Sequence, residues 1–149
     1  MQLETYFPYL LAVTAESFSQ KLVDVYGRTY GLSREEWRLL FLLAEARELT
    51  SLELSRRTTL DKVQVSRAAQ RLENKDLITR CISGQDRRLR LYTCTDAGQA
   101  LFAKVFPEVQ AQSQDILDAI EPDDMVALKQ GLHALLVAVK AHTGRERAD

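Results

Sequence analysis

Hydrophobic residues in this chain recur mostly at intervals of three and four positions, which is the pattern of amphipathic α-helices. The first such stretch predicts a helix over residues 8–28, with Pro8 in its first turn and with Gly27 and Gly31 at its end. Its apolar stripe consists of Leu10, Leu11, Phe18, Leu22, Val25 and Tyr26. The first predicted element is therefore one long helix with a single apolar face.

Two further helices are predicted from their start signals. Ser33 with Glu36, and Thr50 with Glu53, have the spacing of capping boxes. In such a box the hydroxyl accepts a hydrogen bond from the third helical residue, and the acidic side chain reaches back to the capping residue. The helix that begins at Thr50 is expected to be short.

Trp37 begins the apolar stripe of the second helix, which continues through Leu40, Phe41 and Ala44. A tryptophan in such a stripe either belongs to the core, which is the commoner case, or lines a ligand pocket. Trp37 is therefore the one candidate for ligand binding, and both interpretations stay open.

A fourth helix is predicted to begin at Asp61, with Gln64 completing its capping box. Residues placed at intervals of about 100° divide this helix into two faces. The apolar face consists of Val65, Ala68, Ala69 and Leu72. The opposite, mainly polar face consists of Val63, Arg67, Gln70 and Asn74, flanked by Gln64, Ser66 and Arg71. Such side chains match base edges and phosphates, whereas a merely solvated face more often carries Glu/Lys pairs, so the pattern favours DNA readout.

Residues 77–83 and 89–95 are predicted to pair as a hairpin, because both are short and rich in Leu, Ile, Thr and Tyr around the turn residues 83–86. Three arginines follow Asp86 near the tip, namely Arg87, Arg88 and Arg90. An arginine held by a neighbouring carboxylate suits insertion into a narrow minor groove.

Cys81 and Cys94 lie on the two predicted strands, which leaves open whether they face each other. One interpretation is a redox switch that stiffens the hairpin. The other is a pair of idle thiols, which is the more usual situation in a cytosolic chain.

Long amphipathic helices are predicted at the C-terminal end as well. Thr95 should cap a fifth helix that runs to about Ile120, with Pro107 kinking it or splitting it in two. Pro122 should open the last helix. The apolar stripe of that helix consists of Met125, Leu128, Leu132, Leu135 and Val139. We expect the apolar faces of the terminal helices to bury one another across a two-fold axis.

The charge of the chain is segregated. Its formal net charge is only −1, but residues 54–90 contain ten Lys/Arg and four Asp/Glu, so their local charge is +6 and the rest of the chain carries −7. A basic segment on an acidic body is typical of a nucleic-acid reader, because binding depends on the field of one face. Taken alone, it is equally typical of a solvated basic face.

Several other classes of protein are not favoured. The longest apolar runs are far shorter than the roughly 20 residues of a membrane span, and the apolar patch at Tyr9–Val13 lacks a basic segment before it, so we expect a cytoplasmic protein without a signal peptide. His133 and His142 belong to no ligand cluster, so no metal and no cofactor are expected. Since no catalytic motif is recognisable, an enzyme is not expected.

Three linked motifs resemble those of the MarR family of winged-helix transcription regulators. Residues 71–78 (RLENKDLI), 86–88 (DRR) and 95–98 (TDAG) are similar to the family's R-L-E-x-K-G-L-V helix end, D-x-R wing and L-T-x-x-G helix start. The order of the predicted elements resembles that of the family over nearly the whole chain. Two positions differ, since Asp76 stands where the family has glycine and Cys94 replaces the leucine before Thr95.

The resemblance implies a mainly α-helical fold with a small β-hairpin wing. A single domain 1–149 would contain a winged helix-turn-helix lobe at residues 32–96 and a helical dimerisation region formed by residues 1–31 and 97–149. The protein would be a homodimeric repressor whose recognition helices lie in successive major grooves, about 34 Å apart, on a near-palindromic operator. A small-molecule effector would bind between the dimer helices and the lobe.

The candidate DNA contacts combine the polar helix face, the wing and the helix starts that favour phosphates. They are Thr50, Ser51, Lys62, Gln64, Ser66, Arg67, Gln70, Arg71, Asp86, Arg87, Arg88 and Arg90. By the resemblance, Arg88 would enter the minor groove and Asp86 would orient it. The main alternative is a winged helix used for protein contacts, which should display exposed apolar anchors where Val63 alone is apolar on the helix face.

Overall fold

The computed structural model describes residues 3–146 of the chain, which are mainly helical with one small antiparallel sheet. After a 3-10 turn at Leu3–Thr5, the elements are α1 (Phe7–Tyr30), α2 (Arg34–Ala46), β1 (Glu48–Thr50), α3 (Ser51–Thr58), α4 (Lys62–Asn74), β2 (Ile78–Ile82), β3 (Arg90–Cys94), α5 (Asp96–Leu117) and α6 (Pro122–Glu146). The predicted fold class, helices with a β-hairpin wing, is thus confirmed.

The chain forms two compact units that divide between Gln112 and Ser113. The division of a single domain into a lobe at residues 32–96 and a dimerisation region at both ends stays a prediction. Among residues 3–146, no helix combines the length and the apolar character needed to cross a membrane.

Helix α1 ends where a left-handed residue is required. Gly31 has φ +66°, and its backbone N–H donates to the carbonyl of Gly27 at 3.0 Å. Glycine adopts this conformation without a steric penalty. Gly27, which we predicted to share in ending the helix, lies inside it instead, so that part of the prediction is wrong.

Aromatic rings fill the core between α1, α2 and α5. The ring of Trp37 stacks on Tyr26 at a centroid distance of 5.2 Å and on Phe102 at 5.6 Å. Phe41 meets Trp37 and Phe102 edge to face. Offset and edge-to-face pairs of this kind add to the stabilisation that burial alone provides. Trp37, which is only 8% exposed, is therefore a core residue.

The sheet has the order β1-β3-β2. The predicted hairpin is confirmed, and β3 also pairs with β1, a three-residue strand that we did not predict. In the hairpin Cys81 pairs with Leu91, and Cys94 pairs with Ile78, so the two cysteines do not face each other. Burial raises the pKa of the Cys94 thiol, which disfavours its reactive thiolate.

Asp76 ends α4 in a left-handed conformation, with φ +59°. The N–H of Asp76 donates to the carbonyl of Glu73 at 2.9 Å, and the N–H of Leu77 donates to the carbonyl of Leu72 at 3.0 Å. These two bonds form a Schellman motif, which normally carries glycine at this position. The departure from the family pattern at Asp76 therefore falls on a position that favours glycine.

Helix α5 runs without interruption through Pro107, so the predicted split is wrong. A proline removes one N–H donor from the helix interior and strains the preceding turn. Val105 and Val109 on either side of it are buried, which anchors the helix across this weak point. The predicted cap of α5 is confirmed, because the Thr95 hydroxyl accepts a hydrogen bond from the N–H of Gly98 at 3.0 Å.

Helices α1 and α6 both expose apolar side chains. Near its start α1 exposes Phe7, Tyr9, Leu10 and Val13. Along its length α6 exposes Val126, Leu128, Leu132, Leu136, Val137 and Val139. Of the predicted stripe of α6, Met125 and Leu135 are half-buried and the other three residues are exposed. These faces lack the cover that apolar helix faces normally have.

Candidate DNA-binding surface

Both predicted capping boxes at the starts of α3 and α4 are confirmed. Thr50 accepts from the N–H of Glu53 at 3.2 Å, and the Glu53 carboxylate accepts from the N–H of Thr50 at 2.7 Å, which lowers the pKa of Glu53. Asp61 accepts from the N–H of Gln64 at 2.8 Å, and Gln64 Oε1 accepts from the N–H of Asp61 at 3.1 Å. Such helix starts carry partial positive charge, which favours a phosphate nearby.

The starts of α3 and α4 lie against the wing around one cleft of about 470 Å³. Six of the predicted DNA contacts line it, namely Ser51, Lys62, Ser66, Asp86, Arg88 and Arg90. The N–H of Arg90 donates to the Ser51 hydroxyl at 3.4 Å, which joins the wing to α3. Residues that are up to 39 positions apart in the chain thus form one concave basic surface.

The wing holds one arginine in a defined orientation. Arg88 Nε and Nη2 donate to the two carboxylate oxygens of Asp86, each at 3.2 Å, and the N–H of Arg88 donates to the same carboxylate at 3.0 Å. These bonds, above all those from the side chain, lower the pKa of Asp86. The side chain of Arg88 is nevertheless 89% exposed. Behind it, the buried Ser83 hydroxyl accepts from the N–H groups of Gln85 and Asp86, which supports the turn.

Several of the predicted contacts are exposed and unengaged. Within residues 3–146, no hydrogen bond or ion pair engages the side chains of Lys62, Ser66 and Arg67 on α4, or those of Arg87 and Arg90 in the wing. These groups can reach a ligand without giving up a partner. Thr50 and Gln64, by contrast, already serve their capping boxes.

Arg71 has a partner that the sequence did not reveal. Its Nε donates to Oε1 of Glu36 at 2.6 Å, and Lys75 Nζ donates to Oε2 of the same carboxylate at 2.5 Å. The Glu36 side chain is only 3% exposed. Our prediction that Glu36 reaches back to Ser33 is therefore wrong, although Ser33 does cap α2 by accepting from the N–H of Glu36 at 3.1 Å.

Gln70 is also engaged. Its Oε1 accepts from Arg80 Nη2 at 3.1 Å, and its Nε2 donates to Asn74 Oδ1 at 2.9 Å. Arg80 is missing from our predicted contacts. A sequence signal for it existed, because alternation along a strand places Arg80 on the same face as the buried Ile78, and hence towards the helix that packs there.

Trp37 borders a second, shallower surface pocket of about 230 Å³. The pocket is lined by Trp37, Arg38, Phe41, Leu42, Arg57 and Thr58. It combines two guanidinium groups with two aromatic rings. In the part of the chain that the structure describes, no three His, Cys, Asp or Glu side chains group as metal ligands do.

Residues 30–89 match a family model described as MarR family. The uncharacterised HTH-type transcriptional regulator YdgJ of Bacillus subtilis is 32% identical over 69 residues, which are 46% of this chain and 42% of YdgJ, so the match spans less than half the length of that curated relative.

Solved structures extend the similarity along the chain. A MarR-family transcriptional regulator from Silicibacter pomeroyi is 25% identical, with 92% of each chain covered and a TM-score of 0.74. BpsR of Bordetella bronchiseptica, whose DNA binding is regulated by 6-hydroxynicotinic acid, is 19% identical, with 91% of this chain and 96% of BpsR covered and a TM-score of 0.80. At that identity, the likeness to BpsR concerns the fold alone.

Proposed function

This chain is a MarR-family protein by its residues 30–89 and by its winged-helix fold, and we propose that it is a transcriptional regulator that binds operator DNA sequence-specifically as a homodimer. The observation that carries the proposal is the cleft in which the starts of α3 and α4 meet the wing. Two helix starts, the unengaged cations Lys62 and Arg90, and the exposed Arg88 that Asp86 holds surround it. This chemistry suits a phosphate backbone, with α4 in the adjacent major groove.

Base readout is proposed for the exposed face of α4 and for the tip of the wing. Arg67 and Ser66 lie free on the helix face, and Gln70 is exposed on the same face. Arginine prefers guanine and glutamine prefers adenine in the major groove. At the wing, the paired but exposed Arg88 suits a narrow minor groove, where negative potential is enhanced.

The rival proposal, a winged helix for protein contacts, is less well supported. A protein-binding surface concentrates apolar and aromatic anchors at its centre. On the outer face of α4 the exposed apolar residue is Val63, which lies between the cations Lys62 and Arg67. A single valine among cations suits contact with a thymine methyl group better than a protein anchor.

A second copy of the chain is the proposed occupant of the apolar faces of α1 and α6. Both faces are exposed in one chain, and a soluble protein rarely leaves apolar surface of this kind uncovered. Light scattering should show a dimer. Leu132→Asp, at the middle of the α6 face, should give monomers with weakened operator binding, whereas a fully monomeric parent protein would contradict this part of the proposal.

The proposed effector is a small planar anion held at the pocket beside Trp37. Arg38 and Arg57 supply positive charge, and the rings of Trp37 and Phe41 supply apolar surface. Such an effector would act by favouring a dimer whose recognition helices are wrongly spaced for successive grooves. Arg57→Gln should weaken the response of DNA binding to 6-hydroxynicotinate or 4-hydroxyphenylacetate, two ligands of proteins with this fold. If neither compound changes DNA binding by the parent chain, this class of effector is wrong.

The main experiment is selection of operator DNA from a random-sequence duplex library by the purified chain, followed by anisotropy titrations at several salt concentrations. We expect a selected, near-palindromic sequence that binds at least about 1,000-fold more tightly than unrelated duplex. The affinity should fall steeply with salt, because phosphate contacts release counterions. No selected sequence, or binding without salt dependence, would contradict the proposal.

A further inference from the structure

Arg80 on β2 joins the recognition helix to the sheet. Its Nη2 lies 3.2 Å from Oε2 of Glu73 and donates to Oε1 of Gln70 at 3.1 Å, so both partners lie on α4. In the hairpin Arg80 pairs with the buried Tyr92 of β3, and the positive charge of Arg80 offsets part of the rise that burial causes in the pKa of Tyr92. Arg80 thus has partners on two other elements.

The Glu73 and Arg80 side chains are both about one-third exposed, which limits how freely the guanidinium can move. Arginine has only donors, so the atom of the Gln70 amide that faces it must be the oxygen. The amide nitrogen then faces Asn74 Oδ1, to which it donates at 2.9 Å. The orientation of the Gln70 amide, with its oxygen towards Arg80 and its nitrogen towards Asn74, is therefore set by its protein neighbours.

This arrangement leaves one edge of the Gln70 amide available to DNA. The oxygen can accept a second hydrogen bond, and the nitrogen has a second hydrogen to donate. One acceptor beside one donor is the pattern that pairs with N6 and N7 of adenine in the major groove. A freely rotating glutamine would have to lose that freedom on binding, whereas a held amide has already lost it.

We propose that Arg80 is a positioning residue that orients the Gln70 amide to read an adenine in the operator, and this inference rests on the proposed function in DNA binding. Arg80 acts through Gln70 and not by touching DNA. Its guanidinium group binds Glu73 and Gln70. The side chains of Arg87 and Arg90, by contrast, are unengaged within residues 3–146.

The test is a double-mutant cycle on the selected operator and on duplexes in which each A·T pair is replaced by G·C. Gln70→Ala should abolish the preference for one A·T pair, a loss of roughly 5- to 150-fold in discrimination. Arg80→Met, which keeps the aliphatic stem, should reduce preference at that same pair. The double variant should match Gln70→Ala alone, since an effect that passes through Gln70 cannot add to its loss. Arg80→Lys keeps the charge without the planar fork and should recover only part of the preference.

Arg90→Ala is the matched control, because it also removes one exposed arginine from a hairpin strand. It should weaken binding to all duplexes alike and reduce the salt slope by about one. If Arg80→Met does the same, or if its effect adds to that of Gln70→Ala, Arg80 contacts DNA itself and the inference is overturned. A parent chain without any base preference would instead contradict the proposed function. Circular dichroism and thermal melting of each variant identify misfolded protein. If Arg80→Met is misfolded, Arg80→Lys replaces it in the double-mutant cycle.

Discussion

The two halves of helix α4 carry similar polar residues but use them differently. In the first half the side chains of Lys62, Ser66 and Arg67 are unengaged within the part of the chain that the structure describes. In the second half Gln70 is bound by Arg80 and Asn74, and Arg71 is bound by Glu36. Residue type therefore marks the polar face of α4, whereas tertiary partners decide which of its side chains are unengaged.

The buried Glu36 explains why Arg71 is engaged. A carboxylate removed from water is costly unless cations and hydrogen bonds compensate it. Arg71 and Lys75 provide that compensation at 2.6 and 2.5 Å. Lys75 Nζ also donates to the carbonyl of Gly31 at 2.8 Å, so the end of α4 is joined to the end of α1. Arg71 and Lys75 at the end of α4 thus hold the helix in place, while the unengaged side chains lie in its first half.

The largest expected effect is on stability, from Glu36→Ala. Two charge-assisted hydrogen bonds are lost, but Arg71 and Lys75 are each more than one-third exposed and can be rehydrated, so we expect a loss of about 2 kcal/mol in the free energy of unfolding. Urea denaturation measures this loss in the free energy of unfolding. The control Glu45→Ala, an exposed carboxylate on the same helix, should change stability by less than about 0.5 kcal/mol. Equal stability of the two variants would show that Glu36 does not anchor α4.

The wing offers the next largest effect, on DNA affinity. Arg88→Ala should weaken operator binding about tenfold, while Asp86→Asn should weaken it less, because it leaves the cation in place and removes only its orientation. Anisotropy titration of the two variants gives the ranking. A larger loss for Asp86→Asn than for Arg88→Ala would mean that the carboxylate contributes more than orientation.

The pairing of Asp86 with Arg88 should not depend on pH near neutrality. The pKa of Asp86 is lowered in the folded protein, so the pairing is fully present above the ordinary aspartate pKa of about 3.9 and is lost only as the pH falls through the lowered value. Between pH 6 and 8 the difference in DNA affinity between the parent chain and Asp86→Asn should be constant. A difference that shrinks within this range would contradict the assignment.

The smallest effect is expected at the end of α4. Asp76→Gly should raise the free energy of unfolding by up to about 1 kcal/mol, since φ is +59° there and glycine adopts it without a steric penalty. Thermal unfolding measures the shift. The control Gly31→Ala should lower the free energy of unfolding, because it places a side chain on a residue with φ +66°. A less stable Asp76→Gly would show that the aspartate side chain stabilises this turn.

Features that depend on neighbouring residues were predictable from the sequence. The capping boxes at Thr50 and Asp61 and the apolar face of α4 follow from spacings of three and four residues, which a helix imposes locally. The linked motifs also showed that Asp76 stands where the family has glycine, and the backbone is left-handed there. The grouping of α3, α4 and the wing was expected from the family resemblance, and six predicted residues line the resulting cleft.

Features that depend on distant residues were not predictable in this way. The strand β1 has only three residues and forms because it pairs with β3, which is distant in sequence, as in the pair Leu49↔Tyr92. Glu36 has the spacing of a capping residue, yet partners 35 and 39 positions away hold its carboxylate. Pro107 predicted a kink or a split in α5, but the helix is continuous through it, and the valines on either side are buried. In each case tertiary packing outweighs a local signal.

The measurement that tests the central claim most directly compares Arg67→Ala with Arg71→Ala on the selected operator, with base-substituted duplexes and urea denaturation in parallel. Arg67→Ala should weaken binding by about 1–3 kcal/mol and relax preference at one base pair, with stability unchanged. Arg71→Ala should lower stability, because it leaves Glu36 with one cation, and should keep the base preferences of the parent chain. Loss of base preference in Arg71→Ala, together with parent-like binding by Arg67→Ala, would contradict the division of α4 into a free half and a held half.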